Sequence, residues 1–179
     1  MSARIQLLKG IFRDVTPVTL FRTQSAKTVS LRERAAGRTF FDLTLSSSKL
    51  NSAKSEGAVL SPVLVAVPRD PEEKRFLGPN GMSMRPIGQM LAVLVYNFKG
   101  KCHIFEVPEG TKIPQGLILL HEHSDHFALQ PAIEMPLAEL NKRLTAFLTQ
   151  PGVIISDKAA FYNRHPEMTQ EAVGFSENA

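Results

Sequence analysis

"GLILLHEHSDHFALQP", residues 116 to 131, sets two apolar runs on either side of a cluster of histidines and acids. "LILLHE" has the continuous apolar run of a buried strand, and "HFALQP" reads as another strand, stopped by Pro131. Just ahead, "CHIFEVP" alternates Ile104 with Glu106 and Phe105 with Val107, while "EGTKIPQG" is turn chemistry. Three strands in close succession imply a sheet. "MPLAELNKRLTAFLTQPG" follows, with Pro136 at a natural first-turn position and Leu137, Leu140, Leu144, Phe147 and Leu148 on one stripe before a Pro-Gly stop. That is the pattern of an amphipathic helix.

Outward from this core the signals weaken. "PVTLFR", 17 to 22, reads as an early strand that ends at Arg22, and "TVSLRERAAGR", 28 to 38, as a helical stretch stopped by Gly37. "FFDLTL", 40 to 45, fits a short strand or a buried turn. The Ser/Lys-rich segment from 44 to 57 has the composition of an exposed loop. "AVLSPVLVAVP", 58 to 68, is a buried-strand run closed by proline. In "GPNGMSMRPIG", 78 to 88, glycines, prolines and an asparagine surround Ser83 and Arg85, so a tight turn presenting two polar side chains is expected. "GQMLAVLVYNFKGK", 88 to 101, is long enough for three helical turns and is closed by Lys99 and Gly100. From about Ser156 the chain is polar enough to fray.

A chain of 179 residues with 43% hydrophobic side chains can bury a real core in one domain. The single cysteine, Cys102, excludes a disulfide framework and a thiolate zinc cage, and reads as a small buried residue on a strand. The balance of 21 Lys+Arg against 17 Asp+Glu favours anionic ligands but is too small to announce nucleic acid. No run approaches the roughly 20 apolar residues of a membrane span. The basic, amphipathic opening "MSARIQLLKGIFR" has a superficial likeness to a mitochondrial presequence, and import is the less favoured reading.

"HEHSDHF", 121 to 127, concentrates imidazole and carboxylate groups that suit a transition metal. On a strand His121 and His123 share a face, whereas His126 follows a turn-like "SD" and begins the next strand, so no helix supplies an HExxH face. A solvated turn, the rim of a ligand site and a metal site all remain open on the pattern alone, with the metal disfavoured. "NGMSMRP" lacks both the Walker lysine and the GxGxxG spacing of phosphate loops.

The order of an arginine ending an early strand, a serine in a mid-chain Gly/Asn turn and a polar residue opening a late strand resembles the ADP-ribosyltransferases. "TLFR" at 19 to 22, "NGMSMRP" at 80 to 86, "VPEGTKIPQGLIL" at 107 to 119 and "DHFALQPAIEM" at 125 to 135 are similar to the toxin domain of type VI secretion effectors of that superfamily, and to like domains in fungal proteins. The resemblance implies a single α+β domain over about 17 to 155, after a basic extension at 1 to 16 and before a polar tail at 156 to 179. It implies a split, largely antiparallel sheet with flanking helices holding NAD in its cleft. Arg22 would bind the phosphates or the nicotinamide-side ribose, Ser83 would brace the nicotinamide pocket, and Arg85 would join them as a cofactor-binding residue. His126 would stand where the superfamily has its catalytic Glu. The implied partners are NAD, an unidentified macromolecular acceptor and an immunity protein, with action in the cytoplasm of producer or target cell.

The residue chemistry agrees: a guanidinium pairs with phosphate, a small serine lets backbone approach a flat ring, and imidazole exchanges protons near neutral pH. His126 departs from the superfamily pattern, because imidazole accepts a ribose hydroxyl only when neutral and repels an oxocarbenium when protonated. In this reading Asp125 orients His126 or an acceptor. A related NAD-consuming or phosphate-transferring enzyme and a non-catalytic nucleotide- or partner-binding protein are the alternatives.

Overall fold

Strand β6 (His103–Val107) shows how the alternating sequence becomes a two-sided layer. Phe105 and Val107 enter one apolar cluster together with Leu20, while Ile104 enters a second cluster with Phe21, Leu91, Ala92, Val95, Phe161 and Met168. Successive side chains point to opposite faces of a strand, so one short segment serves both clusters. The structure, a computed structural model, describes residues 6–32, 45–46, 65–66, 68, 71, 74 and 80–169.

Element order from the N-terminus is β1 (Gly10–Phe12), β2 (Leu20–Gln24), β3 (Leu45–Ser46), β4 (Val65–Ala66), β5 (Met82–Met84) and α1 (Gln89–Asn97), then β6. There follow β7 (Leu117–His123), β8 (His126–Pro131), β9 (Met135–Pro136), α2 (Leu137–Leu148), β10 (Ile154–Ser156) and α3 (Lys158–Arg164). Among the described residues the strands form three antiparallel sheets ordered β1-β7-β8-β5, β10-β6-β2 and β3-β4-β9. The first two meet at one bridge, where Phe21 N donates to Arg85 O at 2.6 Å and Arg85 N donates to Phe21 O at 3.0 Å. This is the split, antiparallel α+β arrangement the sequence implied.

Helix α2 buries Leu140, Leu144, Phe147 and Leu148 against the core of the four-stranded sheet. Each such side chain contributes about 1.5 to 3 kcal/mol. Pro136 stands at the helix N-cap and in β9, one step before the expected first turn. Its fixed φ suits either place.

The remaining differences from the sequence reading have local causes. Residues 28–32 of the expected helix are not helical, because α2 captures their backbone: Val29 N donates to Thr145 Oγ1 and Leu31 N to Asn141 Oδ1, both at 2.8 Å. Residues 33–38 lie outside the described residues, as do most of "FFDLTL" and the expected loop from 44 to 57, apart from Leu45 and Ser46 in β3. The short strand β4 falls within the expected strand at 58 to 68. "MSM", 82 to 84, is strand β5 rather than a turn, and Arg22 lies in the middle of β2 rather than at its end.

Fraying from about Ser156 is also corrected. Asp157 caps α3 by accepting from Ala160 N at 2.8 Å, Phe161 and Met168 are buried, and Arg164 pairs with Glu106 of β6 at 2.9 Å. At the other end β1, inside the basic extension, pairs with β7.

Candidate functional site

The site begins with the Asn-Gly pair that precedes β5. Asn80 is buried and its Nδ2 donates to Gln130 Oε1 on β8 at 2.8 Å. Gly81 sits at φ +119 with its Cα so close to β8 that an added Cβ would lie 2.4 Å from Leu129 O. These contacts fix the register Met82↔Leu129, Ser83↔Ala128, Met84↔Phe127. Met82, Met84, Phe127 and Leu129 then share the core face. Ser83 and Arg85 face the other way, together with Ala128 and His126.

A bulge completes the cluster. The β7·β8 ladder pairs His121 with Phe127 but His123 with His126, so Glu122 is the extra residue of β7. The bulge brings Glu122 and His123, which are consecutive, onto the same histidine, an irregularity that re-aims side chains as β-bulges do. Glu122, 2% exposed, lies 2.7 Å from His126 Nδ1 through Oε2, and the His123 ring stacks on that of His126 at 5.1 Å. His121 does not share their face. It stacks on Phe127 at 4.2 Å and bonds Ser124 O through Nε2 at 2.8 Å. The expectation that His121 and His123 share a face is thus corrected.

His126 Nε2 is hydrogen-bonded to Ser83 Oγ at 2.6 Å. Across the split, Arg22 Nη1 donates to Ser83 O at 3.1 Å, and its Nε donates to Gln24 Oε1 at 3.3 Å. Arg85 pairs with Asp125, and Arg85 Nε is buried without a hydrogen bond among the described residues. The expected site residues Arg22, Ser83, Arg85 and His126 are therefore brought together. The residue that orients His126 is Glu122, not Asp125, which is engaged by Arg85. Sequence reasoning missed Glu122, because a strict two-residue period separates it from His123.

Burial lowers the His123 pKa, and the neighbouring His126 lowers it further. Its neutral ring therefore packs on His126 without adding charge at neutral pH.

Glu122, His123 and His126 present donor atoms within 4.8 Å of one another, the one arrangement among the described residues that suits a transition ion. Both ring nitrogens of His126 are already hydrogen-bonded, so an ion on either would have to replace the bond to Ser83 or the bond to Glu122. Chelation followed by dialysis is accordingly expected to leave the melting temperature unchanged. Stoichiometric zinc in the purified protein, with a large loss of stability on its removal, would show that the cluster is a structural metal centre instead.

This geometry meets a family match. Residues 18–158 match the protein-family model described as Tse2 ADP-ribosyltransferase toxin. The chain belongs to that family. No curated protein and no solved structure gave a significant match. The match of this Tse2-family chain spans β2, β5, β7 and β8, which hold Arg22, Ser83, Glu122, His123 and His126, and it also covers Arg85 just after β5 and Asp125 in the turn between β7 and β8. The family implies NAD as substrate and a macromolecular acceptor. No helix among the described residues is long and apolar enough to cross a membrane.

Proposed function

We propose that this chain is an NAD-dependent toxin that breaks the glycosidic bond between nicotinamide and ribose and transfers ADP-ribose to a macromolecule, or to water when no acceptor is present. The observation that supports this most is the hydrogen-bonded chain running from Arg22 through Ser83 to His126 across the split between the sheets. Residues far apart in sequence thus meet in one hydrogen-bonded cluster.

The donor chemistry fits the substrate. Arg22 and Arg85 flank Ser83 and supply guanidinium groups suited to phosphate, and the unsatisfied Arg85 Nε is a further donor. Arg22 already holds the Ser83 carbonyl, so it would bind substrate and fix the serine backbone together. His126 supplies a proton acceptor, and the Glu122 carboxylate on its Nδ1 offsets the charge that protonation would place beside an oxocarbenium. Action in the cytoplasm of a target cell, delivery by a type VI secretion machine and neutralisation by an immunity protein complete this reading.

Expression in a host cytosol is expected to be toxic and to transfer label from adenine-labelled NAD to host macromolecules. Arg22→Ala is expected to remove both effects while the protein remains folded, since Arg22 is only partly buried and its bonds reach a carbonyl and a glutamine. Equal toxicity of wild type and a soluble Arg22→Ala would take Arg22 out of the mechanism.

A further inference from the structure

We infer that Ser83, His126 and Glu122 form a nucleophile relay, and that the Ser83 hydroxyl itself receives ADP-ribose as a covalent acetal during turnover. This rests on the reading of the site as one that cleaves NAD. The spacing is that of an activated serine: Oγ to Nε2 is 2.6 Å, and Nδ1 to the Glu122 carboxylate is 2.7 Å. With the Glu122 carboxylate accepting from Nδ1–H, the Nε2 lone pair faces the serine O–H. Glu122 is buried and Ser83 is half-exposed, so the relay is open at the nucleophile end alone. The serine backbone is clamped by pairing to Ala128 and by Arg22 on its carbonyl, which holds Oγ in place.

In the first step the Ser83 proton passes to His126 Nε2 and Oγ bonds to the anomeric carbon of the nicotinamide-side ribose. The carbon–nitrogen bond breaks with its electron pair left on nicotinamide, which departs neutral. The positive charge of the pyridinium thereby moves to the imidazolium, where Glu122 holds it. In the second step the imidazolium returns its proton to Oγ as the acetal opens, while water or the acceptor attacks the same carbon and releases a proton to solvent. Two displacements retain the β configuration of NAD, whereas one inverts it.

The test uses the purified full chain with NAD and methanol as acceptor, acid-quenched during turnover. A peptide bearing ADP-ribose on Ser83, or a β-methyl acetal of ADP-ribose as product, supports the relay. An α-methyl acetal with unmodified Ser83 overturns it while leaving the NAD-cleavage reading intact. Absence of nicotinamide release sinks that reading, and the relay with it. A ligand-free readout is the Nδ1 proton resonance of His126, expected far downfield in the wild type and lost in Glu122→Gln. An unchanged resonance in that variant would remove Glu122 as the positioning residue.

Discussion

His126→Ala is expected to lower NAD cleavage by about 10²- to 10⁴-fold, the usual contribution of a positioned acid–base group, and to abolish toxicity. It is also expected to cost stability. Glu122 is 2% exposed and bonds His126 Nδ1, so the alanine leaves a buried carboxylate without that imidazole, a loss of about 1 to 3 kcal/mol. Melting and activity must therefore be measured together. The informative partner is the double variant His126→Glu, Glu122→Gln, which restores the superfamily's carboxylate without placing two like charges in one small site. It is expected to regain NAD glycohydrolysis that His126→Ala lacks. Full toxicity of His126→Ala, with no NAD cleavage by the double variant, would place His126 outside the site and favour a non-catalytic binding role.

Gly81→Ala is expected to be the most destabilising single substitution near the site. Its Cβ would stand 2.4 Å from Leu129 O and 2.9 Å from Gln130 Cα, both backbone atoms that cannot swing away, and φ +119 is unfavourable to any L side chain. Steric overlap and backbone strain together are expected to cost about 3 kcal/mol or more. For a chain of this size that is a fall of roughly 6 to 12 °C in melting temperature. Activity should fall as well, because β5 would lift from β8 and carry Ser83 away from His126. A Gly81→Ala protein that melts with the wild type would mean that this close approach does not hold the register.

The strongly periodic segments were legible. The strands around "LILLHE" and "HFALQP" and the helix from 137 to 148 follow from apolar runs and a clear stripe, because packing and propensity agree there. "MSM" was not legible as a strand, since the Gly, Asn and Pro around it announce a turn. Here the glycine instead permits a backbone approach that only tertiary structure reveals. The stretch from 28 to 32 lost its helix to the side chains of Asn141 and Thr145, partners more than a hundred residues away in sequence. The C-terminal helix did carry a signal: Asp157 three residues before Ala160 is a capping pattern, hidden by the polar composition around Phe161. At the site, Arg22, Ser83 and His126 could be named from residue order and resemblance. Glu122 could not, because a one-residue bulge turned it toward His126, and strand periodicity has no way to foresee a bulge.

Whether the cluster of Arg22, Ser83 and His126 cleaves NAD is read from free nicotinamide released from NAD by the purified chain, compared with its Ser83→Ala and Arg22→Ala variants. The account predicts steady release by the wild type and a loss of at least about 10²-fold in each folded variant, as for removal of a group acting on the reacting atoms or its positioning partner. Release that is absent from the wild type, or unchanged in both variants, would contradict it.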